Sequence, residues 1–271
     1  MIEKFEIEEV NMLQVLKSTT IKLDEELPPP PVAISIGNYI YRNELMPKQF
    51  GTYGNFSCIV GASKSKKTFL KSALLAGYIG GKSQNYFSEI RGHNTEGKYV
   101  IDIDTEQGKW DAQRVSRRVI DMVGAKYPFY KPYFLREQPP NIRMQFIEYL
   151  VNEVFKNKVG ILSIDGAADL IEDVNDLKES NEIVQKLMKL SSENNIHIIT
   201  VIHRNFGTDK PTGHLGSAIL KKAETVTFVE SENKIVKVKA RHTRSFPFDD
   251  FVFSINENGL PYQTQEENHF I

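Results

Sequence analysis

A chain of 271 residues with 40% hydrophobic and 25% charged residues has the make-up of an ordinary soluble globular protein. Its formal net charge of -1 excludes a polycationic surface, so any nucleic-acid contact must come from a local patch of Lys and Arg. The single cysteine, Cys58, excludes a disulfide framework. No apolar run approaches the roughly 18 residues of a membrane span, and MIEKFEIEEV lacks the basic-then-apolar order of a signal peptide, so a cytoplasmic protein without membrane contact is expected.

In chain order, residues 1–32 read as an N-terminal arm. MIEKFEIEEVNMLQVLKS suits a short helix docked on the main body or on a neighbour, and equally a loosely ordered tail. LDEELPPPP then marks a proline linker near Pro28 to Pro31, because prolines cannot continue a helix and favour extended backbone. From residue 33 to 271 the pattern is one domain. FSCIV, YVIDID, VGILSID, IHIITVIH and ETVTFVE are near-continuous apolar runs, as expected of strands buried on both faces. Cys58, within the first of these, reads as a small core residue. KTFLKSALLAGYI, KWDAQRVSRRVIDMV, IRMQFIEYLVNEVF and NEIVQKLMKLSSEN are helix-like stretches between them. This alternation predicts a doubly wound α/β domain with a mostly parallel sheet flanked by helices and ligands at the carboxyl ends of its strands. The tail, KIVKVKARHTR and DDFVFSINENG, alternates polar and apolar residues and predicts an antiparallel extension.

The stretch from Gly61 through Ala62, Ser63, Lys64, Ser65, Lys66, Lys67 and Thr68 to Phe69 has the outline G-x-x-x-x-G-K-[ST] of a phosphate-binding loop, with Lys66 where the second glycine belongs. It follows a predicted strand and opens a predicted helix, the context such a loop needs for backbone N–H groups to cradle phosphates. Lys67 would reach the β- and γ-phosphates of ATP, and the Thr68 hydroxyl would coordinate Mg2+. Lys66 is tolerable if its backbone is helical and strained if it requires positive φ. The competing reading is a lysine-rich, solvated helix start. Against it stand YVIDIDTEQG, which puts Asp104 and Glu106 at a strand end, and VGILSIDGAADL, which puts Asp165 at another in the pattern of a magnesium-holding aspartate. Each could singly be a helix cap, yet three caps on one edge is a weaker account than one site.

The order of these motifs, with a strand ending in VIH, resembles the RecA-like P-loop ATPases from roughly Gly51 to Gly259. Within them it is most similar to the plasmid and phage RepA-like branch, with DnaB-type helicases as relatives. The resemblance implies that Glu106 polarises the attacking water and that His203 senses the γ-phosphate. A hydrogen-bonded strand-end histidine is the bland alternative for His203. It also implies a homo-oligomer, a hexameric ring, in which Lys239 and Arg241 reach the γ-phosphate held by the adjacent subunit; their i, i+2 spacing puts both on one side of a strand. A solvated basic face would look the same. In HRNFGTDKPTGHLGS, where this class presents a mobile loop, Arg204, Phe206 and Lys210 could bind single-stranded DNA by phosphate contact and base stacking, or the segment is only a connector ordered by nucleotide. The expected function is a Mg2+-dependent ATPase, a ring-forming helicase or DNA motor in replication or recombination of a phage or mobile element. The alternative is a nucleotide-gated scaffold that binds ATP, hydrolyses it poorly and recruits protein partners.

Overall fold

The structure is a computed structural model that describes residues 11–93, 96–205 and 211–264. A helix α1 (Met12–Thr19), capped by the Asn11 side chain, precedes the proline stretch and has no buried residue. The helix expected in the arm is therefore present, but it does not dock on the described body. The body opens with strands β1 (Val32–Tyr41) and β2 (Glu44–Thr52), an antiparallel hairpin that with β4 (Ile90–Gly92) forms a three-stranded sheet in the order β2-β1-β4. This small sheet was not anticipated, because β1 and β2, though long, mix polar and apolar residues with no continuous apolar run.

The main sheet comprises β3 (Phe56–Gly61), β5 (Tyr99–Asp104), β6 (Tyr130–Phe134), β7 (Val159–Asp165), β8 (His197–His203), β9 (Thr225–Glu232), β10 (Ile235–Thr243), β11 (Phe251–Ile255) and β12 (Pro261–Thr264). Their order is β12-β11-β10-β9-β3-β8-β7-β5-β6. The six strands from β9 to β6 pair in parallel, and β10, β11 and β12 add on in antiparallel fashion, as the sequence predicts.

Helices α2 (Lys67–Ile79) and α3 (Lys109–Val123) cover one face, and α4 (Pro140–Tyr149), α5 (Leu177–Asn194) and α6 (Gly213–Lys222) the other. Each face has its own core because successive strand residues point to opposite sides. Ile59, Val201 and Val229 pack toward α2, whereas Cys58, Val60, Ile202 and Phe228 pack toward α5 and α6. Two boundaries differ from the sequence reading. The fourth helical stretch begins earlier, at Leu177, where Asp176 caps it by accepting from the Glu179 N–H. Similarly, GHLGSAILKK forms α6 instead of continuing the connector after His203. No helix of the described residues is long and apolar enough to cross a membrane.

Candidate nucleotide site

Strand register brings the motif residues to one edge. Gly61 pairs with His203 across β3 and β8, and Asp104 pairs with Asp165 across β5 and β7. These strand ends, the loop after β3 and the start of α2 enclose a cleft of about 410 Å3 lined by residues 63–69, Glu106, Gln107, Val115, Arg118, Asp165 and His203.

The loop itself is tightly built. A Cβ on Gly61 would lie 2.4 Å from the Ser65 hydroxyl and 2.5 Å from the Val229 carbonyl, so only glycine fits there. Lys66 adopts φ 72° and ψ 24°, and Lys64 also has positive φ, 63°. The condition under which Lys66 would be harmless is thus not met: the position demands the left-handed region that favours glycine, and lysine occupies it at a cost of about 1–2 kcal/mol. Contact of the Lys66 ammonium with the Phe69 ring, 5.7 Å to its centroid, offsets part of that. Lys66 makes no side-chain cap for α2, although its carbonyl accepts from the Phe69 N–H at 3.0 Å and the Leu70 N–H at 3.3 Å.

Lys67 is buried, and its ammonium donates to the carbonyls of Gly61 at 3.0 Å and Ala62 at 2.8 Å and lies 3.1 Å from His203 Nδ1. An ammonium can only donate, so Nδ1 accepts and Nε2 carries the ring proton. That proton points at Glu106 Oε1, 3.0 Å away. Lys67, His203 and Glu106 therefore form one chain of hydrogen bonds. Burial lowers the Lys67 pKa against the pull of Asp165 and Glu106. The hydrogen bond from His203 is the main reason that the Glu106 carboxyl titrates below its usual range, with burial opposing.

Glu106 is held by its surroundings. Thr105 N–H donates to the Asp165 carbonyl at 2.8 Å, and its hydroxyl accepts from Gly166 N–H at 2.8 Å, which locks the ends of β5 and β7 together. A Cβ on Gly166 would come within 2.6 Å of Glu106 Oε1. Asp104 turns the chain behind Glu106, accepting from the N–H groups of Glu106 at 3.1 Å and Gln107 at 2.8 Å. Burial pushes its pKa up to about 6, with Lys71 opposing. Thr105 and Gly166 escaped the sequence reading; the G after the strand-terminal Asp was the only trace of this packing.

Asp165 is buried, and its Oδ2 has no hydrogen-bond donor, although the Lys71 ammonium lies 3.3 Å away. Thr68 and Asp165 line the same cleft, and a hydroxyl with a carboxylate is a donor set that fits a hydrated divalent cation. Lys71, fully buried one turn beyond Lys67, also bonds Asp102 Oδ1 at 3.0 Å, and Tyr130 donates to Asp102 Oδ2 at 2.7 Å. Sequence reasoning passed over Lys71 and Asp102, though two opposite charges inside an apolar helix and strand were the available signal. Burial opposes the charge on Lys71, but the carboxylates of Asp102, Asp165 and Asp104 outweigh it and raise its pKa. Arg118, also unanticipated, stacks its guanidinium 3.7 Å from the Phe69 ring centroid at the cleft wall. A larger cavity of about 510 Å3 lies under α3, lined by Trp110, Tyr133 and Phe134 with Asp102 and Asp104, and contains none of the loop from Gly61 to Phe69.

The remaining expected residues are elsewhere. Lys239 donates to Glu230 Oε2 at 2.9 Å, and Arg204 Nη1 lies 3.3 Å from Glu230 Oε1. The Arg241 guanidinium lies over Phe228, 5.6 Å from its centroid. Glu230 and Phe228 are two apart on β9, so both cations do reach one side, even though a bulge interrupts the register at Arg241. The structure does not bring either of them to the cleft lining within the chain. Phe206 and Lys210 lie outside the described residues. Flanking them, Arg204 bridges to Pro211, and Thr212 donates twice to the His203 carbonyl, at 3.0 Å from its N–H and 2.9 Å from its hydroxyl.

No family model and no curated protein sequence matches this chain. A solved structure, the RadB recombinase, superposes with a TM-score of 0.52 at 16% identity, covering 78% of this chain and 91% of that one. The two share a fold: a mostly parallel sheet between helices, here with an antiparallel extension.

Proposed function

We propose that this protein is a Mg2+-dependent ATPase of the RecA-like class that works with DNA in recombination or replication. The observation that carries the reading is the hydrogen-bonded chain from Lys67 through His203 to Glu106, in a cleft that also holds Thr68 and Asp165. Backbone amides from Ser63 to Phe69 and the Lys67 ammonium would take the phosphates, while Thr68 and Asp165 would hold Mg2+. The ion, when bound, offsets charge on the β- and γ-phosphates. Glu106 would orient the attacking water. His203, bonded to both Lys67 and Glu106, would report whether a γ-phosphate has drawn Lys67 away. Catalysis of this kind consists mainly of positioning and charge stabilisation.

The similarity to a recombinase supports DNA as partner, with Arg204, Phe206 and Lys210 as candidate contacts. Lys239 and Arg241, remote from the cleft of their own chain, would serve a neighbour's γ-phosphate in a homo-oligomer, for which a hexameric ring is the sequence-based expectation. Kinship with the RepA-like and DnaB-type branch, and helicase action for a phage or mobile element, rest on the motif pattern alone. A second reading, a scaffold that binds ATP and turns it over poorly, draws on the left-handed backbone of Lys66 and the engagement of Lys239 with Glu230.

Calorimetry and steady-state turnover with and without single-stranded DNA test the proposal. ATP should bind to the wild type and be hydrolysed faster with DNA, and Lys67→Ala should lose binding. Normal ATP binding by Lys67→Ala would remove the basis for the site; binding without turnover would favour the scaffold.

A further inference from the structure

Two lysines lie one turn apart on α2 with opposite surroundings. Lys67 faces loop carbonyls and a histidine, whereas Lys71 is sealed among carboxylates: Asp102 at 3.0 Å and Asp165 at 3.3 Å, with Asp104 also acting on it. Tyr130 and Lys71 account for both oxygens of Asp102. Asp165 has no comparable support, since its buried Oδ2 receives no hydrogen bond and its nearest positive charge is Lys71. A buried carboxylate without a counter-charge is costly, and one bearing a fixed counter-charge attracts a further cation less.

We infer that Lys71 is a positioning residue for the metal-binding side of the cleft: a built-in counter-ion that holds the Asp165 carboxylate in place without Mg2+ and competes with Mg2+ for it. This rests on the ATP-site reading above. The consequence is a nucleotide affinity that depends less on Mg2+ than the bare residue set of Thr68 and Asp165 would give. Without Lys71, Asp165 would repel metal-free nucleotide more strongly and would take Mg2+ more avidly. Both changes widen the gap between affinities measured with and without the ion.

Lys71→Met alone leaves Asp102 uncompensated and is prone to unfold, so the informative variant is the double substitution Lys71→Met with Asp102→Asn, which removes one charge of each sign and leaves Tyr130 a partner. Affinity for a non-hydrolysable ATP analogue is measured by calorimetry in EDTA and in Mg2+, and melting temperature is followed on titration with Mg2+ alone. The double variant should melt cooperatively, show a ratio of Mg2+ to EDTA affinity larger than wild type by roughly tenfold, and gain more thermal stability from Mg2+. An unchanged or smaller ratio in a cooperatively melting double variant overturns the inference and reduces Lys71 to a partner of Asp102. Failure of the wild type to bind the analogue in either condition is a different result: it overturns the ATP-site reading itself, and this inference with it.

Discussion

The parallel and antiparallel halves of the main sheet handle their charged residues in different ways. At the carboxyl edge of the parallel strands, groups from β3, β5, β7 and β8 are joined across strand boundaries, as in the Lys67, His203 and Glu106 chain. On β10 the cations are instead settled locally, Lys239 on Glu230 and Arg241 on Phe228 of the adjacent strand. The first arrangement assembles chemistry from within one chain. The second stabilises a sheet face, and it can assist phosphate chemistry only if another molecule offers something better than Glu230 and Phe228.

The sharpest way to break that contrast is to impair each half separately. Glu106→Gln should keep ATP affinity and lose turnover by about 10²–10⁴-fold, the scale of a lost positioning carboxylate. Arg241→Ala should lower turnover by about a thousandfold if the residue acts on a neighbour. Mixing the two variants should then restore part of the activity, because some interfaces pair an intact Glu106 with an intact Arg241. No recovery despite proven subunit exchange would confine β10 to a structural role.

A smaller effect is expected from Gly166→Ala. Its added methyl must displace Glu106 Oε1, which would otherwise sit 2.6 Å away, so turnover should fall about tenfold or more while ATP affinity holds. If affinity falls in step with turnover, the damage has spread to Asp165 and the edge is less modular than the comparison implies.

Asp104 sharpens the same point through pH. Its folded pKa of about 6 stands above the ordinary aspartate value near 3.9, so between these limits the folded protein holds the proton more tightly than the unfolded chain. Its contribution to stability is therefore most favourable below about pH 4, declines as pH rises to about 6, and is level above that. Denaturant midpoints for the wild type and Asp104→Asn, compared at pH 4.5 and 7, should show the wild type losing ground relative to the variant at the higher pH. A difference that does not change with pH removes Asp104 from this account.

The smallest expected change concerns the loop. Lys66→Gly should stabilise the fold by about 1 kcal/mol by relieving the left-handed backbone, whereas Lys66→Ala, with its Cβ retained, should give no such gain. Equal effects of the two would show that the Lys66 side chain, through Phe69, governs the loop more than its backbone does.

The parallel half was legible because its strands are buried on both faces, and apolar runs such as VGILSID stand out without help from tertiary context. The gathering of Asp104, Glu106 and Asp165 at one edge followed from strand position, whereas the roles proposed for Glu106 and His203 came only through the family resemblance. What stayed hidden depends on three-dimensional encounter. The hairpin of β1 and β2 has no continuous apolar signature, and Lys71 and Asp102 make sense only once α2 lies across β5 and β7. Lys66 could be posed as a question from sequence, but only its φ of 72° answers it. The engagement of Lys239 was equally invisible, since its partner Glu230 sits across a turn on β9.

One oxygen atom joins the proposed phosphate-binding lysine to the chain that follows His203. The Gly61 carbonyl accepts from the Lys67 ammonium at 3.0 Å and from the Arg204 N–H at 3.1 Å, so two donors share one acceptor. Drawing Lys67 toward a phosphate would leave the Arg204 N–H as that oxygen's sole donor in this pair. Reciprocity gives the converse: a ligand that loosens the Arg204 N–H from Gly61 would shift nucleotide affinity by the factor with which nucleotide shifts its own. The shared carbonyl would then act as a two-way thermodynamic exchange point, and a pair of titrations, each ligand in the presence of the other, would read the same coupling constant from either side.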